Sequence, residues 1–281
     1  MQMKAIDLAK KSSTLASLPA VFIRLNEAVN NPLSSVNQIA RIISEDAGLS
    51  ARLLHIANSA LYQYPARIDN IAVAATVIGT EQLRDLALAT SVLTIFKNIP
   101  ADLVHMEHFW CHSIACGVAA KTMGAFHQEH ALERFFLAGV LHDIGRLVIF
   151  QTCGEEARLI LEKSRREGKH LFETEKEILG FDHAEVGGLL LERWKIPNNL
   201  VEMVSCHHDP NKAQRGLHES SLIHLADILV HAMQLGNSGE RFVPAIEDIA
   251  WKCNEFSRED LRPIMAQVAL QYDDLVETIF Q

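Results

Sequence analysis

The chain has 281 residues, of which 48% are hydrophobic and only 6% aromatic, and a net charge of −9. That length allows one large domain or two small ones, and an apolar mass made of Leu, Ala, Ile and Val favours helices. The acidic balance excludes a general nucleic-acid backbone binder, which needs a basic face, and admits a small anionic ligand only where metal or local cations hold it.

The five cysteines (Cys111, Cys116, Cys153, Cys206 and Cys253) form no Cys-x-x-Cys pair, so a reducing cytosol fits. Each reads as a small buried hydrophobe, with metal contact by Cys206, beside His207, as the alternative. Charges interrupt the first eleven residues, where a signal peptide needs an apolar core. The longest uncharged run, near Leu86 to Phe96, falls short of the ~18 residues of a membrane span. The expectation is a soluble, cytoplasmic protein with no membrane span.

In chain order, Ser35-x-x-Gln38 is a capping box that opens a short helix through Ile39, Ile42 and Ile43. Asp46 can cap the next helix, through Leu49, Leu53 and Ile56, which Tyr62-Gln63-Tyr64-Pro65 ends. Asp69 opens another helix, Gly79 stops it, and Thr80 caps a long segment reaching Phe96 before Pro100. His105 to Met123 is helical in pattern, with His108 and His112 on one face. Glu155 to Lys169 is a charged helix ended by Gly168, and its Arg165-Arg166 reads as a solvated face. Later helices carry His183, deliver His207-His208 at an end, and carry Asp227 between His224 and His231. Gly187-Gly188 implies close approach of another helix. Residues 240 to 281 read as two or three packing helices. No alternating run supports a strand, so the fold class is all-α.

The chemistry centres on Leu141-His142-Asp143-Ile144-Gly145, where a His and an Asp sit inside an apolar stretch. A carboxylate there needs a partner, either a helix-end backbone group or a divalent metal. The rest of the chain favours metal: His112, His142, Asp143, His183, His207, His208 and Asp227 offer five imidazoles and two carboxylates. Such ligands suit Zn, Fe, Ni or Mn. They are too many for one tetrahedral ion and suit two, an arrangement that performs hydrolysis. His108 is either a further ligand or a donor to one. His105, His127 and His130 read as solvent-facing, and His55 as a satisfied core or surface His. No Gly-rich phosphate loop and no nucleophile-elbow serine are present.

That order resembles the HD superfamily of metal-dependent phosphohydrolases, and especially its HD-GYP branch, which cleaves cyclic dinucleotides. The resemblance implies metal ligation by His112, His142, Asp143, His183, His207, His208 and Asp227, with Asp143 as the bridging carboxylate. The Gly-Tyr-Pro signature is missing, and the family's Lys after His-Asp-x-Gly is Arg146. Leu18-Pro19-Ala20-Val21, Ile43 to Leu54, Ala57-Asn58-Ser59-Ala60-Leu61-Tyr62, Gly79 to Arg84 and Asp182 to Pro210 are similar to the HDOD family, the HD-related output domain of bacterial signalling. That likeness spans roughly residues 15 to 210.

The expected architecture is an N-terminal helical cluster (1–100), an HD-type metal-binding helical bundle (101–235) and a C-terminal helical extension (236–281). The expected function is bacterial signal transduction with a retained centre of two divalent transition-metal ions. Phosphohydrolase or phosphodiesterase activity would use Asp143 as bridge and Arg146 to neutralise a substrate phosphate. The alternatives are a non-catalytic output module holding the metals structurally, and a diiron sensor of redox state or oxygen. The expected partners are a phosphorylated or cyclic-nucleotide small molecule and a signalling protein.

Overall fold

The computed structural model describes residues 4–15, 17–96 and 99–280. Among these the secondary structure is helical throughout, with no strand. The helices are α1 (Ala5–Leu15), α2 (Ala20–Val29), α3 (Val36–Ser44), α4 (Ala47–Ala57), α5 (Ile71–Val77), α6 (Thr80–Val92), α7 (Met106–Phe126) and α8 (Glu133–Leu141). They continue with α9 (Ile144–Thr152), α10 (Gly154–Glu167), α11 (Leu171–Leu179), α12 (His183–Arg193), α13 (Asn198–Ser205), α14 (Leu217–Met233), α15 (Asp248–Asn254) and α16 (Arg258–Phe280). A 3-10 turn, Pro210–Lys212, precedes α14. The all-α expectation holds.

Two compact units divide the chain: Met1–Ser17 with Phe96–Met265, and Leu18–Ile95 with Ala266–Gln281. These limits differ from the expected boundaries at 100 and 235 because both ends of the chain pack far from their sequence neighbours. Helix α1 buries Ala5, Leu8 and Ala9 and lies against α12 and α9. The end of α16 ties to Ala60, whose N–H donates to Asp274 Oδ2 (2.7 Å) and whose carbonyl accepts from Gln271 Nε2 (3.3 Å).

In the unit of Leu18–Ile95, local capping follows the sequence closely. Ser35 and Gln38 form the reciprocal capping box of α3, and Asp46 caps α4 by accepting from Leu49 N (2.9 Å). Two starts move by one residue. Asn70, not Asp69, caps α5 through its bond from Val73 N (2.9 Å), and α6 follows Gly79 with no side-chain cap. Helix α4 ends at Ala57 rather than near Tyr62. Asn58 takes over the chain there, donating to Leu54 O (2.7 Å) and Ile68 O (2.8 Å) and accepting from Ile68 N (2.8 Å). Phe22, Leu25, Ile43, Leu53, Ile56 and Leu83 form this unit's core.

In the other unit α7 packs on α8 and α14, and α12 packs on α9 and α13. Glycines set these distances. A Cβ on Gly139 would sit 2.6 Å from the Cys116 carbonyl, and one on Gly145 would overlap the His183 carbonyl and stand 2.5 Å from Gly187 N. The Gly187-Gly188 step therefore marks a close helix contact, as expected. The stretch Glu133–Thr152 is long and apolar enough for a membrane span, but 89% of its window is buried in the fold, as in a core helix.

Candidate metal centre

Five parts of one unit converge. Helix α7 presents His112, and α14 presents Asp227 and, one turn later, His231. His142 and Asp143 occupy the joint between α8 and α9, His142 as the C-cap of one and Asp143 as the N-cap of the next. His183 opens α12, whose N-terminus Asp182 caps by accepting from Glu185 N (2.9 Å). His207 and His208 lie past the end of α13, in a turn. Both rings face His183, at centroid distances of 5.5 and 4.7 Å.

Donor atoms cluster in three overlapping groups, each within 4.8 Å: His112, Cys116, His142 and Asp227; His142, Asp143 and His207; and His183, His207 and His208. Asp143 divides its oxygens between the ends of the cluster. Oδ1 is 2.9 Å from His183 Nε2, while Oδ2 is 3.4 Å from His142 Nε2 and 4.0 Å from His112 Nε2. That is the disposition a bridging carboxylate requires. Asp227 Oδ1 lies 3.1 Å from His112 Nε2, 3.5 Å from His142 Nε2 and 3.3 Å from His231 Nε2. His142, His183 and His207 are fully buried, and His112, Asp143 and Asp227 nearly so.

The residues present fit metal ions. His142 Nδ1 and His207 Nδ1 donate to carbonyls three residues back, Gly139 O and Val204 O, both at 2.7 Å. Those bonds fix the orientation of each ring and turn each Nε2 inward. His207 Nε2 is buried with no hydrogen bond, as is His142 Nε2, whose nearest carboxylate oxygens stand 3.4 and 3.5 Å away. Buried polar atoms without partners are costly and rare, and an ion would satisfy them.

Groups around the donors hold them in place. Glu175, 1% exposed, accepts from His183 N (2.8 Å) and lies 2.6 Å from His183 Nδ1. His224 Nδ1 donates to His207 O (2.8 Å), and its Nε2 accepts from Glu247 N (3.0 Å). Arg146 Nη1 donates to Asp143 Oδ2 (2.8 Å) and to Ser238 Oγ (2.5 Å), and Nη2 lies 3.1 Å from His183 Nε2. This corrects the expectation that Arg146 faces a substrate phosphate: the guanidinium is 2% exposed and turned onto Asp143, Ser238 and His183.

Protonation divides the imidazoles. Burial pushes His112 down to about 4 and His207 down to about 3, and holds His208 well below its ordinary value. Burial acts the same way on His142, but Asp143 and Asp227 overcome it and raise that ring to about 10. At His183 burial and Arg146 are outweighed by Glu175 and Asp143, which raise it to about 9. Burial would raise Asp143 and Asp227; instead Arg146 and His142 hold Asp143, and His231 and His112 hold Asp227, well below the carboxylate range.

All seven residues singled out in the sequence meet here. His108 does not; it is exposed on α7, outside the cluster. The sequence reading missed Cys116, Glu175 and Ser238. Cys116 Sγ lies 3.6 Å from His112 Nε2 and 3.8 Å from Asp227 Oδ1. Its spacing of four from His112 on one helix was the available signal.

An all-helical chain with a buried His and Asp cluster at a helix joint defines an HD-type architecture. The HDOD domain matches residues 15–210, and the chain belongs to the HDOD family. Its fold is shared with an HDOD domain protein of unknown function from Geobacter sulfurreducens, at 22% identity and a TM-score of 0.77, over 99% of this chain and 97% of that one. It is also shared with a candidate phosphohydrolase from Shewanella amazonensis SB2B, at 24% identity and a TM-score of 0.76, over 97% of each chain. An uncharacterized protein of Treponema pallidum (strain Nichols) is 24% identical over 209 residues. That match takes in 73% of this chain and spans only 40% of the length of the relative.

Proposed function

We propose that this chain is a bacterial HDOD signalling protein whose centre holds two divalent transition-metal ions (Fe, Mn, Ni or Zn) as an internal brace for contacts with a signalling partner. His112, His142 and Asp227 would hold one ion, His183, His207 and His208 the other, and Asp143 would lie between them. The observation that carries this reading is the burial of convergent donors: His142 Nε2 and His207 Nε2, neither of them hydrogen-bonded, stand with Asp143 where solvent does not reach. The supporting groups serve the donors, not a substrate. Glu175 orients His183, and Arg146 balances the charge of Asp143. Bound ions would supply Lewis acidity at this point.

Phosphoester hydrolysis, as the name of the Shewanella relative suggests, is the second reading. His208 favours it, being the one donor of the seven that is only partly buried, with its ring stacked on Phe172 at 4.3 Å. A substrate would reach the centre from that side. Elemental analysis of chelator-free protein, paired with assays against aryl phosphodiesters and cyclic dinucleotides, separates the readings. The brace predicts about two ions and turnover no higher than that of His142→Ala. Turnover well above that variant with Mn or Fe would replace the brace with the enzyme, and metal at background would remove both.

A further inference from the structure

We infer that the unit carrying the metal donors has a second site, for a phosphorylated small molecule of about mononucleotide size, in the cavity between α10 and the segment after α14. This cavity is about 410 Å³ and open to solvent. Its volume suits a small ligand. Its walls divide by chemistry. Leu103, Val104 and Leu171 are buried apolar side chains that form a floor for a planar ring.

Arg158, Arg165 and Arg241 face two acids there, Asp102 and Glu162. Arg158 is held by Asp102 (2.7 Å) and Glu155 (2.8 Å), whereas Arg165 and Arg241 have no side-chain partner among the described residues. His105 and His108 add two rings whose centroids are 4.5 Å apart. In a chain of net charge −9, two unpaired guanidinium groups beside one free carboxylate form a local site for an anion. Arginine forks match phosphate oxygens in particular.

The back wall connects this cavity to the metal donors. Asn237, Gly239 and Arg241 line the cavity, while Ser238, between them, turns the other way and accepts from Arg146 Nη1 through both Oγ (2.5 Å) and its carbonyl (3.3 Å). Arg146 in turn holds Asp143. Asn237 N donates to the carbonyl of His108, on the wall of the same cavity (2.9 Å). A ligand drawing Arg241 inward therefore pulls on the segment that positions the carboxylate between the two donor groups. The binding site stands on its own observations; only its link to metal affinity rests on the proposed metal centre.

Isothermal titration of the full chain with GMP, AMP, pyrophosphate and guanosine tests both parts, on metal-loaded and on chelator-treated protein. The expected result is binding of GMP or AMP, guanosine at least about tenfold weaker, and a loss of about tenfold per arginine in Arg165→Gln and Arg241→Gln. Absence of binding by all three phosphorylated probes, or equal affinity in the doubly substituted protein, overturns the site. Affinities differing at least about fivefold between loaded and treated protein establish the link, and by reciprocity the ligand shifts metal affinity by the same factor. Equal affinities overturn the link and leave the site. Protein that takes up no metal refutes the metal centre, while the binding arm is still decided by the arginine variants.

Discussion

Glu175 is the side chain whose role is most exposed to test. It touches none of the other proposed donors, yet it accepts from both the backbone and the ring of His183. Partners of this kind are worth about 10- to 100-fold in metal affinity. Glu175→Gln keeps the size and removes the charge. Its metal content should fall from about two ions to about one, the ion of the His112 group remaining, whereas His142→Ala or Asp143→Ala, at the shared centre, should lose most of both. Elemental analysis of the three variants side by side checks the order. Protons offer a second test. In the metal-free protein His142 and His183 titrate at about 10 and 9, so both are charged at pH 7. Each must give up a proton to become a ligand. Metal binding at pH 7 should therefore release about two protons, and affinity should climb with pH, less steeply above about 9, and level off above about 10. Titration calorimetry in two buffers of different ionisation enthalpy counts the protons; a count of zero would sink the assignment of these two rings.

Among the helices, the joint between α9 and α12 allows little change. Gly145→Ala places a methyl group onto the His183 carbonyl, with backbone on both sides and no flexible side chain to yield. Overpacking of this kind costs about 1–3 kcal/mol and sometimes more. Gly154→Ala is the control, since its added carbon would meet only the tip of Arg158, 3.8 Å away. It should be neutral or stabilising by about 0.4–1 kcal/mol. Denaturant midpoints of the two variants measure the contrast, and similar midpoints would contradict the packing described for α9 and α12. This joint also shows what could be read in advance. The Gly187-Gly188 step announced a close contact but not its partner, since Gly145 lies some forty residues away. The seven donors were legible because metal chemistry restricts the residue types and the chain keeps them in order. Glu175 and Ser238 were not, because a glutamate or a serine becomes a support only when the fold brings α11 beside His183 and residue 238 back to Arg146. His207 and His208 were expected at a helix end, and they follow the end of α13 at Ser205.

Across the whole molecule, an enclosed centre makes folding and metal binding one equilibrium. Ions bound by the native state alone raise stability by RT ln(1 + [L]/Kd), about 2.7 kcal/mol at a hundredfold excess over Kd. Chelator treatment should lower the melting temperature by several degrees, and readdition of metal should restore it. A melting curve unchanged by chelation in protein shown to have lost its ions would refute the brace. The sequence boundaries at 100 and 235 bear on how that curve is interpreted. Residues 5–15 pack with the donor unit, and the end of α16 with the other, so cutting the chain at either boundary removes part of a core.

The burial of the donors also has a temporal consequence. An ion held by His112, His142 and Asp227, all of them buried, would leave only when the helices around it part. Exchange would then keep pace with rare openings of the fold rather than with the ligand bonds, on a scale of hours or longer. The metal recovered from a cell would be a record of the pool present when the chain folded, not of the pool at harvest. Cells shifted from one metal to another after synthesis should yield old protein carrying the first metal and new protein carrying the second.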